Sequence, residues 1–475
     1  MSTLKTFFKD TIIYGLATVL PRLMNFILVP LHTDTLDTSS YSDNTYFYIY
    51  AAFFNILLTY GMETAFFRFF SKSDSKARVF STTLISLTVT TVFIFILVFI
   101  FNQQISERLD LRQDYFIYLA GVLALDTLVV APFAYLRATG RPIKFTAIKL
   151  SNIVVYVALN FFFLWAIPKF DIPFSDYNTS DLVKYIFMAN LVASAFTFLL
   201  LSPYFFKTRM IVDFGILKQM LNYSWPIMIA GLAYVINENF DKWILPQLLD
   251  KDINGAYAGC YKIAVFMTIF IQAFRLGAEP FFFNHAKEKN AKNTYATIMK
   301  YFVIFGSLIL LFIVAYLDIF KVLIIRDESY WIALDIIPIV LLANLCLGIY
   351  FNLAIWYKLT DKTQYGMYIS IIGALITISG NIILIPKFGF IAAAWATLLA
   401  YVSMVIISFV LGQKHYKVPY DVFRVVLYLI VGAGLSFLVY YNFNANYYLN
   451  TFILIVFFVF ILILEKTEIK QFLKR

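Results

Sequence analysis

Long apolar runs follow one another along the whole chain, near 11–32, 43–70, 78–102, 114–138, 142–168, 180–206, 215–243, 254–283, 295–318, 332–356, 362–386, 388–412, 420–441 and 446–465. Short polar connections separate them. A helix needs about 20 mostly apolar residues to cross a bilayer, so the pattern predicts about fourteen spanning helices. Runs longer than that are absorbed by tilt or by short interfacial extensions. The softest boundaries are 319–331 and the turn at Lys387-Phe388-Gly389. The longest connection on the side predicted to face outward, about 169–180, is too short to fold by itself. No soluble domain is expected on either face, and the function is expected inside the bilayer.

The basic residues test this register independently. With the N-terminus in the cytosol, the inward connections carry 24 Lys and Arg and the outward ones 9, while Arg22, Lys149, Lys262, Arg275 and Lys300 fall within spans. Such an excess is the mark of the cytoplasmic side. A missed or invented helix would invert the pattern downstream. Both termini are therefore predicted to be cytoplasmic. Lys5 and Lys9 precede a run that carries Arg22 and lacks a small-residue cleavage site, so residue 11 onward reads as a first span and not as a cleaved signal.

Composition narrows the function. The chain of 475 residues is 61% apolar and 14% charged, against roughly 25% charged in soluble domains. That excludes a soluble enzyme, a nucleic-acid-binding module and a disordered chain. The net charge of +10 reads as basic loops facing anionic lipid. Cys260 and Cys346 lie in apolar stretches with no ligand at metal spacing, so neither a disulfide framework nor a zinc site is expected. His32, His285 and His415 sit at the ends of apolar runs. No Walker A, H-E-x-x-H or G-x-S-x-G sequence occurs. No catalytic residue, metal or cofactor is assigned.

A repeat organises the spans. Gly61-Met62-Glu63-Thr64-Ala65-Phe66-Phe67 and Gly277-Ala278-Glu279-Pro280-Phe281-Phe282-Phe283 share G-x-E-x-x-F-F, 216 residues apart. That offset carries spans one to five onto spans seven to eleven; span six needs a small deletion. The chain is thus predicted to be an all-α polytopic membrane protein of two pseudo-symmetric six-helix lobes, 1–210 and 211–413, plus two further helices, 414–475. Six is even, so the lobes share one orientation, with a pseudo-two-fold axis along the membrane normal and a cleft suited to alternating access.

Charges near mid-bilayer cost at least about 2.5–3.5 kcal/mol each on insertion scales, so they face a cavity or a partner. The first span carries Tyr14, Thr18, Arg22 and Asn25 on one face, with Pro21 just before the arginine. The seventh carries Tyr234, Asn237, Glu238, Asp241 and Lys242; the eighth Tyr261, Thr268, Gln272, Arg275 and Glu279. The second shows Tyr48, Asn55, Thr59 and Glu63, the fifth Lys149, Asn152, Tyr156 and Asn160, and the fourth the lone acid Asp126, for which Lys149 is a plausible partner. The offset makes Glu238 the repeat-equivalent of Arg22, and the two are expected to pair or to compete for ligand. Asp241-Lys242 reads either as a functional pair or as a salt bridge wetted at the interface. Glu63 and Glu279 read either as an inner gate or as packing elements beside Gly61 and Gly277, whose missing side chains allow close approach. Spans thirteen and fourteen have no mid-span charge and read as lipid-facing or accessory.

At this point the chain resembles a known family. The stretch from Tyr14-Gly15 through Pro30, the run Leu58-Thr59-Tyr60-Gly61-Met62-Glu63-Thr64-Ala65-Phe66-Phe67-Arg68, and Asp241-Lys242 followed by Gly255-Ala256-Tyr257 and Tyr261-Lys262 are similar to the polysaccharide-transporter (Wzx-type oligosaccharide flippase) branch of the multidrug/oligosaccharidyl-lipid/polysaccharide exporter superfamily. The resemblance implies a non-enzymatic flippase that moves an undecaprenyl-diphosphate-linked oligosaccharide, of O-antigen type, from the inner to the outer leaflet of a bacterial inner (plasma) membrane. Arg22 and Arg275, with Lys149 or Lys262, then become candidates for the diphosphate, since guanidinium binds phosphate oxygens bidentately. Asn25, Asn55, Asn237 and Gln272 become candidates for sugar contacts. Glu238 joins the cavity set; Glu63, Asp126, Asp241, Lys242 and Glu279 are candidates for gating or for coupling to H+ or Na+. In the lipid II branch, cavity arginines cluster in helices one, two and eight; here the second span offers only Arg68, near the cytosolic end. The implied partners are the lipid-linked glycan and membrane lipids, with no nucleic acid, and the chain is expected to act as a monomer. A cation-coupled multidrug exporter of the same superfamily is the first alternative, and a multispan glycosyltransferase or acyltransferase the second.

Overall fold

The computed structural model describes residue 24 and residues 26–174, 177–206, 211–286, 288–360, 362–443 and 445–466, with the side chains of 279, 280 and 284 excepted. Every regular element among them is helical. In chain order these begin as α1 (Thr38–Thr59), α2 (Met62–Lys72), α3 (Lys76–Ile100), α4 (Gln113–Leu128), α5 (Val130–Ala138), α6 (Pro142–Phe161), α7 (Val183–Leu201) and α8 (Phe214–Leu248). They continue as α9 (Lys251–Tyr261), α10 (Val265–His285), α11 (Ala291–Ala315), α12 (Ile336–Leu353), α13 (Gln364–Phe388), α14 (Ile391–His415), α15 (Val422–Asn442) and α16 (Tyr447–Leu464). Short polar residues fix several starts by accepting an otherwise orphaned N–H. Asp37 accepts from Ser40 N at 2.8 Å, Asp250 from Ile253 N at 2.7 Å and Asn446 from Leu449 N at 3.2 Å.

Eleven segments are long and apolar enough to cross a membrane among the described residues. The chain is a multi-pass membrane protein, but that criterion does not reach the fourteen spans expected. Of the remaining three, most of 11–32 lies outside the described residues. The expected span 43–70 is two helices, α1 and α2, broken at Tyr60-Gly61. The expected span 215–243 lies within α8, a 35-residue helix diluted by Glu238, Asp241 and Lys242. The soft boundary at 319–331 is filled by a short helix, Leu317–Ile324, and a 3-10 segment, Glu328–Ala333. The other soft boundary is a tight turn on Gly389, whose φ of +70° suits glycine.

The chain divides into two compact units, one ending at Pro246 and the other starting at Gln247. These are units of packing. We propose that the repeat units 1–210, 211–413 and 414–475 reflect sequence ancestry. α8 is tied into the first unit at several levels. Ser81 Oγ accepts from Ile211 N at 2.8 Å just before it, and Thr82 Oγ1 from Asp213 N at 3.0 Å. Further along, Tyr46 Oη donates to the Trp243 carbonyl at 2.6 Å, and Trp243 Nε1 donates to Tyr50 Oη at 3.2 Å. Within the same unit α7 packs on α4 and α6, and α4 on α1 and α3. The outer face of α3 is frankly apolar, with Phe93, Ile96 and Phe99 all exposed.

In the second unit α12 is the central helix. It packs against α11 and α14, and α14 packs against α13. The last two helices, α15 and α16, lie on α11. Their free faces are apolar, with Ile430, Phe452 and Ile463 exposed. Their polar ends are fixed. At one end Asn450 Nδ2 donates to the Ala315 carbonyl at 3.0 Å, and Tyr440 Oη to Asp335 Oδ1 at 2.5 Å. At the other, Lys300 Nζ of α11 meets Glu465 Oε2 at 2.6 Å. Helices that read as accessory are bolted to the unit at both ends.

The repeated motif is not used twice in the same way. Gly61 has φ +69°, and a Cβ there would lie 2.7 Å from the Ser224 carbonyl oxygen of α8. Gly277 sits inside α10, and no atom of the described residues lies within 4 Å of an added Cβ. Close approach, expected at both glycines, therefore holds for Gly61 and is not found at Gly277 among the described residues. The breaks differ as well. The second span breaks after Tyr60, whereas the eighth breaks earlier in its course, at the 3-10 turn Lys262–Ala264 between α9 and α10.

Candidate functional site

The stripe Lys149, Asn152, Tyr156 and Asn160 occupies one face of α6, and that face is turned into the first unit's own interior. Asn152 Nδ2 donates to the Ala193 carbonyl at 2.9 Å and to Thr197 Oγ1 at 2.8 Å, pinning α6 to α7. Asn160, fully buried, donates to the Tyr156 carbonyl at 2.8 Å, and its Oδ1 lies 2.9 Å from His32 Nε2. The Tyr156 and Tyr48 hydroxyls are 2.7 Å apart, and Asn190 Nδ2 reaches Tyr48 Oη at 3.3 Å. Asp126 of α4 accepts from the Ser194 hydroxyl of α7 and faces the charge of Lys149. Lys149 Nζ lies 4.5 Å from the centroid of the Phe133 ring. Its charge also meets those of Glu63 and Arg137. At the end of the series Arg137 NH1 donates to Glu63 Oε1 at 2.8 Å, with its guanidinium 4.8 Å over Phe67.

These residues form a polar column from His32 to Arg137, held by α1, α2, α4, α5, α6 and α7. From His32 to Lys149 the groups are mostly withdrawn from solvent, where each needs a partner; the Arg137–Glu63 pair that ends the column is nearly half exposed. Tyr156→Phe removes one hydroxyl pair and is expected to cost about 1 kcal/mol, read as a small drop in the thermal midpoint of the detergent-solubilised protein. The offset of 216 carries Lys149, Asn152, Tyr156 and Asn160 onto Tyr365, Tyr368, Ile372 and Ile376, so the second unit does not repeat this stripe. His32, Arg137, Asn190 and Ser194 belong to the column although their spacing marked none of them. The only signal for Ser194 and Asn190 is a polar residue on an otherwise apolar span.

The Asp241-Lys242 pair of α8 is buried, at 2% and 7% exposure, with Lys242 Nζ 3.1 and 3.2 Å from the two carboxylate oxygens. It is not a bridge wetted at the interface. The same ammonium donates to the Glu238 carbonyl at 3.0 Å. Asn237 is buried one turn away. Asn55 is half-buried, and its carbonyl accepts from the Thr59 hydroxyl at 2.7 Å. Arg22 and Asn25 lie outside the described residues, so the expected approach of Arg22 to Glu238 does too, as does the side chain of Glu279.

In the second unit Lys262 stands exposed at the 3-10 break between α9 and α10. A short 3-10 stretch within a helical span is a usual place for a hinge. Further along, Gln272 and Arg275 share a face of α10, one turn apart. The Arg275 guanidinium lies 4.1 Å over the ring of Phe351 from α12. A cation–π contact of this kind holds a guanidinium in place in a half-dry setting. Among the described residues, no three His, Cys, Asp or Glu side chains gather as a metal ion would require. Within the second unit, Gln272 and Arg275 thus place an amide and a cation on one face of a spanning helix.

Comparison with known proteins fits this picture. The family model described as polysaccharide biosynthesis protein matches residues 7–283, and the MatE model matches residues 226–383. Among curated proteins none matches the chain in sequence. Among solved structures, the lipid II flippase MurJ in an inward closed conformation is 16% identical, with a TM-score of 0.73 over 96% of this chain and 100% of that one. An inward-facing multidrug resistance MATE family transporter is 12% identical, with a TM-score of 0.66 over 86% and 95%. A point mutant of the Vibrio cholerae MATE transporter VcmN is 16% identical, with a TM-score of 0.63 over 87% and 97%. At these identities the likeness is one of fold.

Proposed function

The chain belongs to the polysaccharide biosynthesis protein family of the multidrug/oligosaccharidyl-lipid/polysaccharide exporter superfamily, and on that premise we propose that it is a flippase for a polyprenyl-diphosphate-linked oligosaccharide. The direction is from the cytosolic to the outer leaflet, by alternating access, with both termini in the cytosol. The diphosphate is met by Arg22 and Arg275, assisted by Lys149 or Lys262; Asn25, Asn55, Asn237 and Gln272 serve the sugars; the polyprenyl tail stays in lipid. The observation that carries this reading is Arg275. It is a cation within a spanning helix, poised on the Phe351 ring, with the amide of Gln272 on the same face. Arginine is suited to the task because its planar fork matches two phosphate oxygens at once. The chain needs no nucleophile or general base for this work, and we assign it no enzymatic step.

One observation favours a second reading. Asp241 is buried in α8 and Asp126 is turned into the polar column of the first unit, and buried acids within spans suit a cation-coupled multidrug exporter. In the flippase reading the same acids, with Glu63, Glu238 and Glu279, serve coupling to H+ or Na+.

The test is leaflet exchange in liposomes holding a fluorescent polyprenyl-diphosphate oligosaccharide. Arg22→Ala and Arg275→Ala are each expected to slow exchange at least about 30-fold, the range for truncating one partner of a buried charged contact; Arg275→Lys should fall between. Exchange indifferent to both arginines overturns the site. A new covalent sugar linkage overturns the non-enzymatic reading. Failure to move this lipid, with proton- or sodium-driven efflux of cations instead, gives the exporter.

A further inference from the structure

A second basic site shares no residue with the candidate cavity set. It lies at the end of the first unit that the charge pattern assigns to the cytosol. It is a cavity of about 510 Å³ between the starts of α3 and α6 and the end of α7. That size is within the roughly 300–1,000 Å³ of ordinary ligand pockets. Arg78, Arg141 and Lys144 line it, together with Tyr135, Tyr204 and Ser81, and among the described residues no carboxylate does. All three cations are exposed, and none is in an ion pair among the described residues. Lys144 Nζ stands 5.0 Å over the Tyr204 ring, a contact that positions the ammonium and leaves its charge unopposed. The rings of Tyr135 and Tyr204 are 5.9 Å apart and give the cavity an aromatic wall. Ser81 is held by its bonds to Ile211 and is part of the frame.

Three like charges around one cavity repel each other and persist only at a cost, unless an anion completes them. The first turns of α3 and α6 reach the same rim, and neither helix start is closed by a side-chain cap, so the positive ends of both helices add to the field. The aromatic wall suits an amphipathic ligand at the depth where headgroups meet hydrocarbon.

We propose that this cavity is a binding site for the phosphate of a lipid headgroup in the cytosol-facing leaflet. Phosphate esters supply the charge for two guanidinium groups and one ammonium, and the glycerol or first isoprenoid carbons meet the tyrosine wall. Two lipids offer this chemistry, an anionic phospholipid and a polyprenyl diphosphate. The site uses neither Arg275 nor Arg22, and it is read by binding alone, so its failure and failure of the transport reading are separately visible.

The experiment is native mass spectrometry of the full chain released from detergent, titrated with short-chain phosphatidylglycerol, farnesyl diphosphate and phosphatidylcholine. The variant Arg78→Gln/Arg141→Gln/Lys144→Gln is compared with Lys289→Gln/Lys292→Gln/Lys414→Gln, which removes as many cations from the cytosolic side of the other unit. All six positions are basic groups near connections, and the thermal midpoint checks folding. The first variant is expected to weaken the two net-anionic lipids by at least about tenfold, the second by less than about twofold, and neither to change zwitterionic phosphatidylcholine. Loss of phosphatidylglycerol marks the occupant as bulk anionic lipid; loss confined to farnesyl diphosphate marks it as the diphosphate carrier. Equal losses in both variants, or none in the first, overturn the site and leave only diffuse attraction to the membrane surface.

Discussion

Glu465→Gln is expected to destabilise the protein by about 3–5 kcal/mol, the usual result of breaking a buried ion pair from one side. The carboxylate is 1% exposed and the Lys300 side chain 4%, at 2.6 Å. Tyr428, fully buried, donates its hydroxyl to Glu465 Oε1 at 2.7 Å, and Arg424 NH1 approaches the same oxygen at 3.3 Å. Three donors from α11 and α15 thus converge on one acid at the end of α16. Neutralising the acid takes the counter-charge from a buried ammonium. Lys300→Met is expected to cost less, because Tyr428 and Arg424 still satisfy the carboxylate. The double variant should cost less than the sum of the two, as members of one network do. Chemical or thermal unfolding of the detergent-solubilised protein reads all three. Two single variants within about 0.5 kcal/mol of wild type would mean that the cluster is open to water and holds nothing.

Gly61→Ala carries the second large effect. Its φ of +69° is left-handed, which costs an L-residue about 1–2 kcal/mol. The new Cβ would meet the Ser224 carbonyl oxygen at 2.7 Å, and that atom is backbone of α8, which cannot swing aside as a side chain would. The combined loss is expected at about 2–4 kcal/mol. Gly277→Ala is the control supplied by the repeat. It lies within α10 with no atom of the described residues in the way of a Cβ, and alanine gains up to about 1 kcal/mol over glycine within a helix, so its midpoint should stay level or rise. Equal losses at the two positions would restore the symmetrical reading of the motif.

The two glycines show where reading the sequence stops. The offset of 216 residues and the shared G-x-E-x-x-F-F are visible in the chain, but the backbone angle at Gly61 is imposed by the break between α1 and α2, and no residue type announces that the eighth span breaks at Lys262 instead. Lys300 stands out as a cation within an apolar run. Its partner, Glu465, is 165 residues away and looks from the sequence like the ordinary polar end of a last span. The stripe on α6 was legible as a face. That this face turns inward to Tyr48, His32 and the α7 carbonyls was not legible, because periodicity gives a face and says nothing of the direction it points.

The sequence alone determined the class of the protein. Burying an apolar side chain in lipid is a property of that side chain and its near neighbours, so run length and charge could be read locally. These gave an all-helical, many-spanning chain and the polar positions that a bilayer makes costly. The tertiary structure decided which of those positions are partners. Asp126 is held by Ser194 and Lys149, and Arg275 lies on Phe351, because helix rotation and depth bring together groups far apart in the chain. Electrostatics and hydrogen bonds act over a few ångströms of space, not over a spacing in sequence, and only the packing of one helix on the next sets those distances.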